Sequence, residues 1–276
     1  MNRGSAVRSA ASHSVLLFWS LVVLIPLWTM LINSVKPSRE IFRSPFGLPS
    51  TFTFEGYTTA WTAGRFDLYF RNSIFVSVTS LVLIVLVGSL AAYALANWRS
   101  RISGLLYIYF IAGLMIPIRL GTINLFQIIQ QLGLINSLAG LIPVYVAMGL
   151  PIATFVLTSF IRSVPFELTE AARIDGASEW RIYSTIILPL IRPAVATVVV
   201  FNVIPIWNDL WFPLVFIRDQ DARTVTLGVT LLFGQYQTDW TRALSALSLA
   251  AVPVLLAYLL MSKQFIQGLT AGALKG

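Results

Sequence analysis

The feature that most constrains this chain is a succession of apolar stretches separated by short polar segments. Several of them are about 20 residues long, the length of helix that crosses a hydrocarbon core of about 30 Å. Lipid offers the backbone no hydrogen-bond partner, so such segments must satisfy their N–H and C=O groups internally, as helices do. Of the 276 residues, 57% are hydrophobic and only 11% charged, against about 25% charged in soluble domains. Mean hydropathy is +0.80. The chain therefore reads as an all-α integral membrane protein rather than a large soluble core. No strand alternation and no fixed-period repeat interrupts that pattern.

The apolar runs predict six transmembrane helices at about 15–35, 72–97, 102–123, 138–161, 188–217 and 242–261. Together they form one six-span domain over 15–261, with tails at 1–14 and 262–276. The first run has a basic lead but is longer than a signal-peptide core. It is followed by Lys36-Pro37-Ser38-Arg39 rather than a small-residue cleavage site, so it reads as a retained anchor. Residues 36–71 read as a loop with room for a short helix, and Trp98-Arg99-Ser100-Arg101 as a tight basic turn. Span three is kinked at Pro117, and 124–133 forms a short amphipathic segment at the interface. Pro143 and Pro151 fall in span four, Pro193, Pro205 and Pro213 interrupt span five, and Pro253 lies in span six. These prolines are either hinge points or the ordinary excess of proline in membrane helices. Positive charges are nearly balanced between the two sides, and the short basic turn at 98–101 leans toward both termini inside.

Several chemistries are excluded. There is no cysteine, and the single histidine, His13, lies in the N-terminal tail. Thiolate metal sites and histidine-based acid–base catalysis have no basis, so a membrane enzyme is disfavoured. No Gly-x-x-x-x-Gly-Lys-[Ser/Thr] occurs, so no ATP site is expected on this chain. The net charge of +8 comes from basic residues scattered over short loops. That suits helix ends facing anionic lipid head groups better than nucleic acid.

One polar island stands out, the 162–187 connection and its continuation to Pro193. It carries Glu167, Glu170, Arg173, Asp175, Glu179 and Arg181 between two apolar spans. Pro165 suits a first helical turn, and Glu167 and Glu170 suit the positive end of a helix dipole. Ala171 and Ala172 offer a flat patch, Gly176 can take the left-handed conformation that ends a helix, and Ser178 can cap a second one. Pro189 then disrupts the ladder as span five begins. Leu168, Ala171, Ala172 and Ile174 are available for contact. On these grounds the island is either a solvated turn or a docking element. A second polar group, Trp207, Asn208, Asp209 and Trp211, lies within span five. An acid there needs a cavity or a partner. The group either faces a path for a polar solute, caps a broken helix, or sits at the outer interface with a tryptophan belt.

Glu170-Ala171-Ala172, Gly176 after three intervening residues, and Ile187-Leu188-Pro189 resemble the EAA loop of binding-protein-dependent ABC importer permeases. The match runs through Asp175-Gly176-Ala177 to Pro193. Asn72-Ser73, Leu132 to Ser137, Trp207-Asn208-Asp209 and the ending Gly268 to Gly276 resemble the sugar branch, and within it the MalG-type subunit of maltose-like importers. Asp209 stands where that branch often has Glu.

The resemblance implies a non-catalytic permease subunit of an ATP-driven sugar importer in a bacterial inner membrane, with both termini cytoplasmic. It implies a cytoplasmic coupling helix between spans four and five, docking an ATPase through Glu170, Ala171, Ala172, Asp175, Gly176 and Pro189. The implied partners are a second homologous permease, a dimer of cytoplasmic ATPases holding Mg-ATP, and an extracytoplasmic sugar-binding protein. Candidate path residues are Trp207, Asn208, Asp209, Trp211, Arg119, Gln127 and Tyr145, with Asn124 and Gln130 beside them. The 218–241 loop, with Arg218, Asp219, Asp221, Arg223, Gln235, Gln237 and Asp239, is expected to meet the binding protein. The C-terminal tail with Lys275 either packs on the ATPases or is a disordered end. Two rivals are a permease of the same machinery for a non-sugar solute and an ion-coupled secondary transporter. The second would show internal repeats and more intramembrane ionisable groups.

Overall fold

The structure is a computed structural model that describes residues 3–98, 100–233 and 238–273, with side chains from 11 to 260 of these. Arg99, Gln235, Gln237 and Lys275 lie outside the described residues. Every described regular element is helical. The chain divides into two compact units, one of residues 1–67 and 228–252, the other of residues 68–227 and 253–276.

In the first unit, α1 (Arg3–Asn33) begins within the expected tail and carries its apolar side chains exposed, as a lipid-facing span would. The expected loop after it holds two short helices, α2 (Ser38–Arg43) and α3 (Glu55–Trp61). A buried polar knot ties them to the start of the last helix. Lys36 is fully buried, and its Nζ donates to Asn33 Oδ1 at 2.9 Å and to the Ser44 carbonyl at 2.6 Å. Thr241 Oγ1 donates to the Lys36 carbonyl and Ser245 Oγ to the Ser34 carbonyl, both at 2.9 Å. Gly56 allows the close approach: a Cβ there would lie 2.8 Å from the Thr241 carbonyl oxygen.

The second unit contains α4 (Phe66–Asn97, from residue 68), α5 (Arg101–Met115), α6 (Thr122–Gln131) and α7 (Leu141–Ile161). After α7 come α8 (Phe166–Ile174) and α9 (Glu179–Ile182), then a π-helical turn at Tyr183–Ile187 and α10 (Leu188–Leu190). The unit continues with α11 (Arg192–Trp207), α12 (Trp211–Phe216) and α13 (Val225–Thr230, to residue 227). The long α14 (Trp240–Ala273) enters it at Pro253. The helix thus extends through most of the expected C-terminal tail.

Small residues let the α4, α7 and α11 backbones approach, the usual substitute for a hydrophobic driving force between helices in lipid. A Cβ at Gly88 would sit 2.8 Å from Ala153 Cβ, and one at Gly149 2.6 Å from Asn202 Oδ1. Ile84, Leu141, Leu157, Ala194 and Val198 fill the resulting core with no exposure.

Four helices are long and apolar enough to cross a membrane, and six spans result if each of two bent pairs is one span. The expected third span, 102–123, falls within one of these pairs, which also takes in most of the expected interfacial segment as α6. The axis of the pair turns by 86° between 101–115 and 118–131. Ile116 is extended (φ −84°, ψ 116°), as the residue before a proline prefers, and Pro117 has no N–H to continue the ladder. The expected fifth span, 188–217, overlaps the other pair, which starts earlier, with α9, and ends at Trp207; it is bent by 73° between 179–190 and 192–207. The ladder does not break at Pro189. It widens into the π-turn just before it and breaks at Ile191 (φ −91°, ψ 9°), ahead of Pro193. A second break at 208–210 separates α11 from α12.

Candidate functional site

The island forms a compact helical hairpin. Pro165 is the residue before α8, and Glu167 lies in its first turn. The helix ends in a Schellman closure. The Ala177 N–H donates to the Ala172 carbonyl at 2.9 Å and the Gly176 N–H to the Arg173 carbonyl at 3.0 Å. Gly176 has φ +78°, and nothing lies within 4 Å of where its Cβ would be. Glycine is thus required here by backbone conformation and not by crowding. Ser178 caps α9, its Oγ accepting from the Arg181 N–H.

An ion pair closes the hairpin. Arg173 Nε donates to Glu179 Oε1 at 2.7 Å and Nη2 to Oε2 at 3.3 Å. Tyr93 of α4 donates its hydroxyl to Glu179 Oε2 at 2.6 Å. The Arg173 hydrogen bond, with that of Tyr93, holds the Glu179 carboxyl below its ordinary range. Behind it, Tyr183 hydrogen-bonds Ser89 at 2.7 Å and is flanked by the rings of Tyr93 and Trp180, each 5.5 Å away. The hairpin is therefore fastened to α4 by one face. The other face is open: Ile174 is 85% exposed, Trp180 64% and Leu168 47%. Glu170, Ala171 and Asp175 are exposed with it, while Ala172 is half-buried against the core and Pro189 lies in α10. An anchored hairpin with an exposed apolar face beside acidic side chains can transmit a push from a docked protein.

The second polar group resolves into a helix break. Asp209 is buried, and its carboxylate accepts the Trp211 N–H at 3.3 Å, the Phe212 N–H at 3.1 Å and the Tyr145 hydroxyl at 3.0 Å. Tyr145, on α7, is 2% exposed. Among the readings left open by the residues, these bonds to the first-turn N–H groups of α12 have the geometry of a helix cap. Trp207 is buried, its ring 5.8 Å from that of Phe70, while Asn208 is exposed at the end of α11. Trp211 is 42% exposed, donates its indole N–H to Thr122 Oγ1 at 2.9 Å and lies under the Arg119 guanidinium at 5.9 Å. Arg119, Asn124, Gln127 and Gln130 are exposed along the stretch from 118 through α6. The structure brings Tyr145 to Asp209 and Arg119 to Trp211, and it places Gln127 in neither pair.

Two clamps have functions that the motifs did not disclose. Asn136 takes a left-handed conformation (φ +63°), and its Oδ1 accepts the Arg218 N–H at 2.8 Å and the Asp219 N–H at 2.6 Å. Asn72 donates to the Asp221 and Arg223 carbonyls at 2.7 and 2.9 Å, and Ser73 Oγ accepts the Val225 N–H at 2.9 Å. Both motifs thus hold the segment after α12. In the sequence both stood out only as motifs of the resemblance, with nothing in them to say which segment they hold.

Helices long and apolar enough to cross a membrane, with an anchored hairpin open on its other face, suit a membrane transport subunit. Residues 84–267 match the family of the binding-protein-dependent transport system inner membrane component, and the chain belongs to that family. It is 38% identical over 269 residues, 97% of this chain and 89% of the relative, to the diacetylchitobiose uptake system permease protein NgcG of Streptomyces coelicolor. It is 32% identical over 253 residues, 91% of each chain, to the melibiose/raffinose/stachyose import permease protein MelC of Bacillus subtilis. In fold it is similar to a chain of a bacterial ABC transporter involved in the import of the acidic polysaccharide alginate. That likeness has a TM-score of 0.83 and 20% identity, and covers 96% of this chain and 99% of the other.

Proposed function

We propose that this chain is one of two permease subunits of an ATP-driven importer for oligosaccharides, and that the hairpin of α8 and α9 is its cytoplasmic coupling element. The observation that carries the reading is the hairpin itself: fastened to α4 through Glu179 and Tyr93, stiffened by the turn at Gly176, and open on its apolar face. Sugar as cargo is supported by relatives whose names specify diacetylchitobiose and melibiose, raffinose and stachyose. In this reading each bent pair holds one broken span, the second crossing the membrane only after α9, so that six spans over 15–261 leave both termini in the cytoplasm. Glu170, Ala171, Ala172, Asp175 and Gly176 form or shape the docking face, and Pro189 belongs to the hinge behind it. A dimer of separate ATPase chains binds Mg-ATP and pushes on that face. The second permease completes the path, and an extracytoplasmic binding protein delivers sugar near the 218–241 segment.

Within the path, Asp209 and Tyr145 act as a scaffold that holds the helix break open. Asn208, Trp211 and Arg119 present planar hydrogen-bonding and aromatic surface, the chemistry that suits a sugar's hydroxyls and C–H faces. Gln127 belongs to the same exposed stretch. Two packings of the bundle differing by a few kcal/mol would let ATP and cargo shift it between inward- and outward-facing states.

The test is expression together with candidate ATPase and partner-permease genes of the same genome, followed by purification and reconstitution. ATPase should copurify, and a sugar-loaded binding protein should stimulate its hydrolysis. Purification as a chain that binds no ATPase would refute the permease reading. Stimulation by an amino-acid or phosphate binding protein instead of a sugar-binding one would refute the cargo.

A further inference from the structure

We propose that the cavity between the start of α5 and the α7–α8 connection binds one anionic phospholipid of the cytoplasmic leaflet. The inference rests on the orientation proposed above, which puts this end of the bundle in the cytoplasm. The cavity has a volume of about 650 Å³ and is walled by the end of α4, the start of α5, the end of α7 and α8. That lies within the range of about 300–1,000 Å³ usual for ligand sites.

Its chemistry is two-sided. Leu95, Ile161, Val164 and Phe166 supply apolar wall, and Arg101 and Arg162 supply positive charge, with no carboxylate among the described lining residues. The Arg162 guanidinium sits 4.9 Å over the Tyr107 ring and gives a single long bond of 3.4 Å to the Leu95 carbonyl. A guanidinium has five N–H donors, so most of its capacity is left for an anion. The first turn of the 15-residue α5 also lines the space, and its dipole adds positive potential there. A free anion would use the arginines but not the apolar wall. A phospholipid uses both, its phosphate on the arginines and its glycerol and upper chains on the wall. Basic pockets between spans on the cytoplasmic side are where anionic head groups are held. Occupied, the site would brace α8 against α5 and link lipid composition to coupling.

Gly104 provides a clean probe. It lines the cavity, yet a Cβ there would meet nothing within 4 Å. Gly104→Leu therefore enters the space with its Cβ clear of protein, and it suits a helix interior better than glycine. The assembled complex would be purified in nanodiscs of phosphatidylcholine with a minority of phosphatidylglycerol, and retained lipid counted by native mass spectrometry. Wild type should retain phosphatidylglycerol. Arg101→Gln with Arg162→Gln should weaken retention about 25-fold, from about fivefold per arginine near a membrane surface. Gly104→Leu should lose the lipid while ATPase still copurifies. Retention unchanged in both variants would overturn the proposal. So would loss of ATPase from Gly104→Leu, which would assign the cavity to the ATPase, or displacement of the lipid by inorganic phosphate alone. Absence of ATPase from the wild-type preparation would instead refute the permease reading, and the lipid count would still stand by itself.

Discussion

Gly176→Val isolates the coupling role of the hairpin, because the structure separates strain from bulk at this position. Gly176 has φ +78° with nothing within 4 Å of the site of a Cβ, so a new Cβ collides with nothing. The whole cost is conformational. A left-handed residue with a Cβ costs about 1–2 kcal/mol, and β-branching pushes toward the upper end of about 1–3 kcal/mol. A loss of about 2 kcal/mol shifts a local equilibrium about thirtyfold. The interactions that hold the hairpin closed are of the same size. The Schellman closure contributes two backbone hydrogen bonds. The Arg173–Glu179 pair has side chains 34% and 57% exposed, which limits it to about 1 kcal/mol or less. Valine should therefore reopen the hairpin without unfolding the spans. In proteoliposomes containing the partner subunits, uptake and binding-protein-stimulated ATP hydrolysis should fall about tenfold or more, with normal insertion. Gly176→Ala should be intermediate. Gly176→Asn should approach wild type, since asparagine tolerates the left-handed region. Full uptake by the valine variant would refute the reasoning, and so would asparagine failing as badly as valine.

Three further perturbations follow from the same geometry. Asp209→Ala removes a cap and leaves the buried Tyr145 hydroxyl without its acceptor, and should lower stability by about 2–4 kcal/mol in a thermal unfolding assay, whereas Tyr145→Phe should cost about 1 kcal/mol. Glu179 has a carboxyl pKa depressed by Arg173, so its contribution is fully present above the ordinary value of 4.5 and is lost as pH falls below it. Amide hydrogen exchange over 166–182 should be constant, after correction for intrinsic rates, from neutral pH down to about 5 and accelerate in stronger acid; Glu179→Gln should abolish that acid step. Asn72→Ala removes two donors to the 221–223 backbone and should increase proteolytic nicking at 218–224 while leaving the hairpin unaffected.

The sequence by itself determined the helical class, the membrane environment and the family, because apolar length and short-range turn chemistry are local properties. The hairpin was legible for the same reason. Its closure needs a residue able to take positive φ at 176 and an oxygen at 178 able to cap the next helix, and both are written within a dozen residues. The interpretation of Asp209 was not legible. Whether an acid in an apolar run faces a path or caps a helix depends on which side chain reaches it, and Tyr145 comes from 64 residues away. Likewise Asn72 meets the Asp221 carbonyl across 149 residues, Asn136 meets the Asp219 N–H across 83, and Tyr93 meets Glu179 across 86. The prolines at 117 and 193 marked where the ladder weakens. The turns of 86° and 73° close by were decided by packing, because a missing N–H permits a bend, while the neighbouring helices set how far it goes.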